Sequence, residues 1–248
     1  MKYLVISFIC LVAAIMEWNL LSMWRADKSF AYGKNLDSVQ HFADAYQYLQ
    51  NAVTTNPNEP TFRDELAYNQ ATLASAIWQQ IETSSQSGVA TVSAQQKLAI
   101  KIPQLGASTA DLVTAAIDNS NKVIDTSPNI LTFWKTRTKT FYQLATIDPK
   151  YTLDALTSIQ QAAKLAPTDA KVHYNLGILY GRAGQTSLAI QTLKDTTQLK
   201  PDYRDAFYGL GLYYKEVGDL KNARTQMSYI LAHIGPDDPA QKFLDENK

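Results

Sequence analysis

The 248 residues carry 23 basic and 23 acidic side chains, so the whole-chain charge shows neither a nucleic-acid-binding excess nor an acidic tail. A single cysteine, Cys10, excludes an intramolecular disulfide framework and a thiolate metal site. The length suits one or two domains, or one repeat array.

Residues 3–24 are the first feature in chain order. Among these 22 residues only Ser7, Glu17, Asn19 and Ser22 are clearly polar. As a helix the stretch is about 33 Å long, enough for a hydrocarbon core of about 30 Å. Lys2 precedes it and Arg25 and Lys28 follow; Tyr3, Trp18 and Trp24 suit the membrane–water boundary. A cleaved leader would need small residues before the cut, and Val12-x-Ala14 is a poor pair with the apolar run continuing beyond it. A lipoprotein signal fails because Ile9 stands before Cys10. An uncleaved anchor over 1–25 fits best, and the near-equal flanking charge leaves its orientation open.

No glycine or proline occurs before Gly33, so the helix is expected to run on into the next element. Residues 26–59 then read as a helical hairpin, with Tyr32, Gly33 and Leu36 on its first helix. Ala45, Leu49 and Ala52 mark the second, and Pro57 its end. A second hairpin spans 60–130. Its first helix, from Pro60 to about Glu82, carries Leu66, Ala67, Leu73, Ile77 and Ile81. Its second carries Ala116, Ser120 and Val123 before Pro128. Between them lies the Ser/Thr/Gln-rich stretch 83–109, read as an insertion rather than an eroded hairpin, with a short helix conceivable near 94–102.

A third hairpin, 131–169, has Trp134 and Phe141 on its first helix and Ala155, Ile159, Ala162 and Pro167 on its second. Its inter-helix turn is lengthened around Asp148-Pro149. The last two, 170–203 and 204–237, are the most regular. The first reads His173, Leu176, Gly177, Tyr180, Ala189, Leu193 and Pro201. Thirty-four residues on stand Phe207, Leu210, Gly211, Tyr214, Ala223, Met227 and Gly235. Leu176, Gly177 and Tyr180 share one helical face, with Ala189 and Leu193 facing them. Gly177 beside Ala189 would let two backbones approach closely, offsetting the roughly 1 kcal/mol cost of a helical glycine. Gly184 and Gly218 sit where a left-handed residue would end a helix. Residues 238–248 offer one short capping helix with Ala240, Phe243 and Leu244.

The period and the Leu-Gly-x2-Tyr…Ala…Pro signature resemble the tetratricopeptide repeat family. The resemblance implies an all-α fold, a right-handed superhelical solenoid of helix hairpins, here behind one transmembrane helix. It implies binding rather than catalysis, through a concave groove lined by the first helices. Mapped onto this chain, the groove holds Lys135, Lys139, Tyr142, Lys171, Tyr174, Arg182, Tyr208 and Lys215, with Asp64, Tyr68, Ile178, Asp205, Leu212 and Glu216. That is a tyrosine-lined trough with a basic middle, suited to a protein or peptide partner. The chaperone-binding members use a carboxylate clamp. Lys135 and Asn175 match it, whereas Lys139, Asp205 and Gly209 depart from it, so that activity is not expected.

No HExxH, GxSxG, phosphate-loop or dinucleotide motif occurs, and His41, His173 and His233 are far apart. No enzymatic activity, cofactor, metal or nucleic-acid partner is expected. The stretch Phe133–Tyr151 behind an apolar helix also resembles the C-terminal tails of bacterial O-antigen ligase and polysaccharide polymerase-type membrane proteins. That likeness would make the chain an accessory glycan-assembly subunit at the bacterial cytoplasmic membrane, its repeats outside the cytoplasm.

Overall fold

In the computed structural model, residues 2–86, 93, 101–102 and 105–247 are described. The fold class is the expected one, all-α and built of helix hairpins in series; a two-residue antiparallel pair, Lys101–Ile102 with Ala107–Ser108, accompanies them. The conceivable helix near 94–102 falls largely outside the described residues. The chain forms two units, residues 1–128 with 146–148, and residues 129–145 with 149–248.

The first unit begins with α1 (Lys2–Ser38), one unbroken helix of 37 residues. It runs antiparallel to α2 (Phe42–Thr55), which packs in turn on α3 (Pro60–Gln86), and α3 packs on α4 (Thr109–Thr126). Burial on α1 is confined to its second half, at Ala26, Ser29, Gly33 and Asp37. Ala26, Ala45, Leu49, Ala52, Val53, Phe62 and Leu66 make one apolar cluster, with Phe30 stacked on Phe62 at 4.7 Å. Gly33 permits the α1–α2 approach, since a Cβ there would lie 2.8 Å from Leu49 Cγ. Polar side chains tie the unit together where water is excluded. Asn69 donates to Asp37 Oδ1 at 2.6 Å and to Phe42 O, and Asn119 donates to Gln70 Oε1 at 3.0 Å while accepting from Arg63. Burial pushes the Asp37 carboxyl above its ordinary range, opposed by the Asn69 hydrogen bond. Helix α4 starts with a capping box, Ser108 and Asp111 bonding each other's backbone N–H.

The second unit holds three hairpins: α5 (Leu131–Leu144) with α6 (Tyr151–Leu165), α7 (Ala170–Arg182) with α8 (Thr186–Leu199), and α9 (Arg204–Glu216) with α10 (Leu220–Tyr229). A π-helical turn, Ile230–Ile234, extends α10, and α11 (Asp238–Glu246) closes the unit. Leu176 and Leu210 fill equivalent buried places in neighbouring hairpins, as do Ala189 and Ala223. Gly177 makes room chiefly for Leu193 rather than Ala189, because its Cβ would sit 2.8 Å from Leu193 Cγ but 3.5 Å from Ala189 O. Gly211 does the same for Met227, at 2.6 Å from Cε. Asp169, Asp219 and Asp237 cap α7, α10 and α11 through their side chains.

Gly184 and Gly218 end α7 and α9 with φ of 73° and 81°, and the next N–H groups reach back to Tyr180 O and Tyr214 O. Counted along the period, Gln40 occupies the same slot after α1, and it too is left-handed, with φ 65°. An L side chain pays a steric cost there that glycine avoids. Gln40→Gly is therefore expected to stabilise the first unit by about 0.5–1 kcal/mol. Chemical denaturation checks this, and a lower midpoint would refute it.

Candidate partner-binding face

In the second unit, α5, α7 and α9 present side chains to one another at two levels. At their C-terminal ends the guanidinium of Arg182 lies over the Tyr142 ring, 4.1 Å from its centroid. Beside it Tyr213 packs against Gly181, where a Cβ would collide with the phenol, and its hydroxyl points at Ile178 O, 3.4 Å away. The missing side chain at Gly181 is what admits this ring.

At the N-terminal ends Tyr174 and Tyr203 face each other with centroids 5.3 Å apart. Arg204 lies over Tyr208 at 4.3 Å and bonds Asp237 through Nε and Nη2, at 2.7 and 3.0 Å. Lys135 reaches Asp169 at 3.4 Å. Burial pushes the hydroxyls of Tyr174, Tyr203 and Tyr213 above the ordinary tyrosine range. All three therefore remain protonated at neutral pH and can donate hydrogen bonds. Burial alone would raise Asp169, but the N–H groups of Val172 and Lys171 and the Lys135 charge outweigh it and hold the carboxyl low.

Asp169, Lys171, Leu199, Lys200, Tyr203 and Asp205 border an open hollow of about 630 Å³ at the starts of α7 and α9. Asp169 and Asp205 are engaged by Lys135 and Arg204, and Lys200 lies over the Tyr203 ring at 5.2 Å. The hollow is thus polar and aromatic, and its partnered carboxylates do not form an acid–base pair.

Of the residues assigned to the trough from sequence, Tyr142, Lys171, Tyr174, Arg182 and Tyr208 fall on these two levels, and Lys135 beside them. Lys139 is exposed on α5. Lys215 turns instead towards the end of the unit, over Phe243 of α11 at 5.2 Å. Asp64 and Tyr68 belong to α3 in the other unit, where Asp64 is buried. Tyr203, Arg204 and Tyr213 were not among the predicted residues. The signal for Tyr213 was Gly181, a groove position with no side chain, which leaves space only a neighbouring repeat can fill.

His173 bonds Pro167 O at 3.0 Å, His233 stacks on Tyr229 and His41 faces Asp44, so each histidine has a local partner. Among the described residues no three His, Cys, Asp or Glu side chains are placed to hold a metal ion.

The Arg204–Asp237 pair has a pH signature. The Arg204 hydrogen bond holds the Asp237 carboxyl below its ordinary value of 3.8. A folded pKa below the unfolded one gives stability present above that unfolded value and lost as pH falls through the folded one. The melting temperature is expected to drop on acidification below about pH 4, and Arg204→Met to flatten that drop. Identical acid profiles for the two proteins would contradict the assignment.

The tetratricopeptide repeat family matches residues 159–191. An uncharacterised protein, ycf37, of Pyropia yezoensis is 37% identical over 62 residues, 25% of this chain and 35% of that protein. The chain spans about a third or less of the curated relatives it matches. Among solved structures, the tetratricopeptide protein TTC0263 of Thermus thermophilus superposes with a TM-score of 0.53 at 18% identity, covering 90% of this chain and 98% of that one. YrrB, described as a tetratricopeptide protein with an unusual peptide-binding site, gives 0.55 at 14% identity, covering 88% and 90%. Repeat period, hairpin packing, left-handed helix ends and these likenesses converge on one conclusion: the fold is that of a tetratricopeptide repeat protein.

Proposed function

We propose that this chain is a non-enzymatic scaffold, tethered to a membrane by α1, that holds a protein or peptide partner on the face formed by α5, α7 and α9. The observation that carries this reading is the row of half-buried tyrosines Tyr142, Tyr174, Tyr203 and Tyr213, with the exposed Arg182 stacked on Tyr142, on or just before adjacent first helices. Tyrosine offers contact area at low entropic cost and a hydroxyl that donates, and a stacked arginine stays charged and oriented. Arg182 and Lys171 retain their charge towards solvent, whereas Lys135 is drawn to Asp169. A partner carrying an acidic group beside an aromatic or aliphatic anchor suits such a face.

The tether rests on the first half of α1, whose 18-residue core has a mean hydropathy of 2.2 and buries nothing within the unit. Its side of the membrane is not fixed by the flanking charges. The polysaccharide-assembly reading has no comparable observation behind it.

Capture of partners from native membranes by the full chain tests the proposal, with Tyr174→Ala/Tyr213→Ala as the comparison. Loss of specific partners from the variant, with its melting curve retained, supports the face. Identical partner sets would rule it out.

A further inference from the structure

The membrane-anchor reading leaves open how the repeats meet the bilayer, and α1 itself supplies an answer. Residues 2–25 are exposed apart from the partly covered Ser22, and the first buried residue is Ala26, two beyond Trp24. The same helix serves both halves, with no break at the transition. Gly33 set against Leu49 fixes the antiparallel register of α1 and α2. That register brings Ala26 level with Asn56, the start of the turn into α3, and the Phe30–Phe62 stack holds the beginning of α3 at the same end.

We propose that unit 1 is docked end-on against the bilayer that holds α1, with the 56–59 turn and Arg25 and Lys28 in the lipid headgroup layer. This rests on the anchor reading and goes beyond it. A tether alone would allow the repeats to swing, whereas a continuous helix fixes which end touches lipid. The apolar stretch from Tyr3 to Trp24 is about 33 Å long as a helix, against a hydrocarbon core of about 30 Å. Little slack therefore remains between Trp24 and the first packed residue. Lys28, lying over the Trp24 ring at 5.4 Å, places a charge beside an interfacial indole, the arrangement a headgroup layer accommodates. The turn is polar and exposed at Pro57 and Asn58, and it ends on Glu59. The opposite end of the hairpin, at Val39, lies about 20 Å farther along the helix axis.

The test uses the full chain made cysteine-free by Cys10→Ser, with a fluorophore on Asn58→Cys or on Val39→Cys. Each is reconstituted into phosphatidylcholine–phosphatidylglycerol vesicles containing a headgroup-linked quencher. Quenching at 58 is expected to exceed that at 39 several-fold. Inserting Gly-Pro-Gly after Arg25 is expected to bring the two sites close to equality while the protein still floats with the vesicles and keeps its helical circular dichroism. Equal quenching in the uninterrupted chain, with flotation intact, overturns the docking and leaves the anchor standing. Failure to float overturns both.

Discussion

Leucine in place of Gly177 is expected to lower the unfolding free energy by about 1–3 kcal/mol through overpacking. Even the first added carbon would lie 2.8 Å from Leu193 Cγ and 3.0 Å from Cδ2, and Leu193 is fully buried. The contact falls on the branch point of a core side chain, not on a flexible tip, so α7 and α8 must separate to relieve it. At Gly211 the nearest opposing atom, at 2.6 Å, is Met227 Cε, the mobile end of an unbranched side chain, and the next, Ala223 O, is already 3.3 Å away. Gly211→Ala should accordingly cost less than Gly177→Ala. Leu193→Ala alone opens a cavity and is expected to cost about 2–5 kcal/mol. Combined with Gly177→Ala it should cost less than the two changes added together, because the new methyl group occupies vacated space. Urea denaturation of these variants beside wild type decides the matter; a Gly177→Leu midpoint equal to wild type would remove the packing argument.

Removing Tyr174 and Tyr213 together is expected to weaken partner binding by roughly 30-fold or more, the effect of losing contacts worth about 2 kcal/mol at an interface centre. Both rings are half-buried, and Tyr213 owes its position to Gly181. Gly181→Ala is therefore a second route to the same loss: the added methyl group displaces the Tyr213 phenol without removing any aromatic side chain. The two routes separate a partner site from a folding requirement. If Tyr174→Ala/Tyr213→Ala melts normally and Gly181→Ala also loses the partner, the face binds it. If both variants melt normally and bind as wild type does, it does not.

The hairpins were legible because their signals are local. A small residue opposite an apolar one, recurring at a fixed period, marks where two helices touch, and the glycines after α7 and α9 mark where those helices end. The same slot carries Gln40 in the first hairpin, and the backbone there is left-handed as it is at Gly184 and Gly218. The trough was only partly legible. Tyr142 and Arg182 were assigned to it by position, but their stacking links residues 40 apart in the chain and depends on how α5 and α7 align.

Charge was the least legible quantity. Lys135 and Lys215 read as free groove cations in the sequence, yet one is held by the Asp169 cap of the next hairpin and the other lies over Phe243 of the closing helix. Arg204 passed unnoticed because its partner, Asp237, stands 33 residues away. The sequence determined the helical hairpins, their period and the apolar reach of the first helix, since each follows from short-range patterning that any single helix or turn must satisfy. Only tertiary structure decided which lysines are engaged by neighbouring helices and which tyrosines share one face. Those properties arise where side chains from different repeats meet, and one repeat's pattern carries no record of its neighbour's.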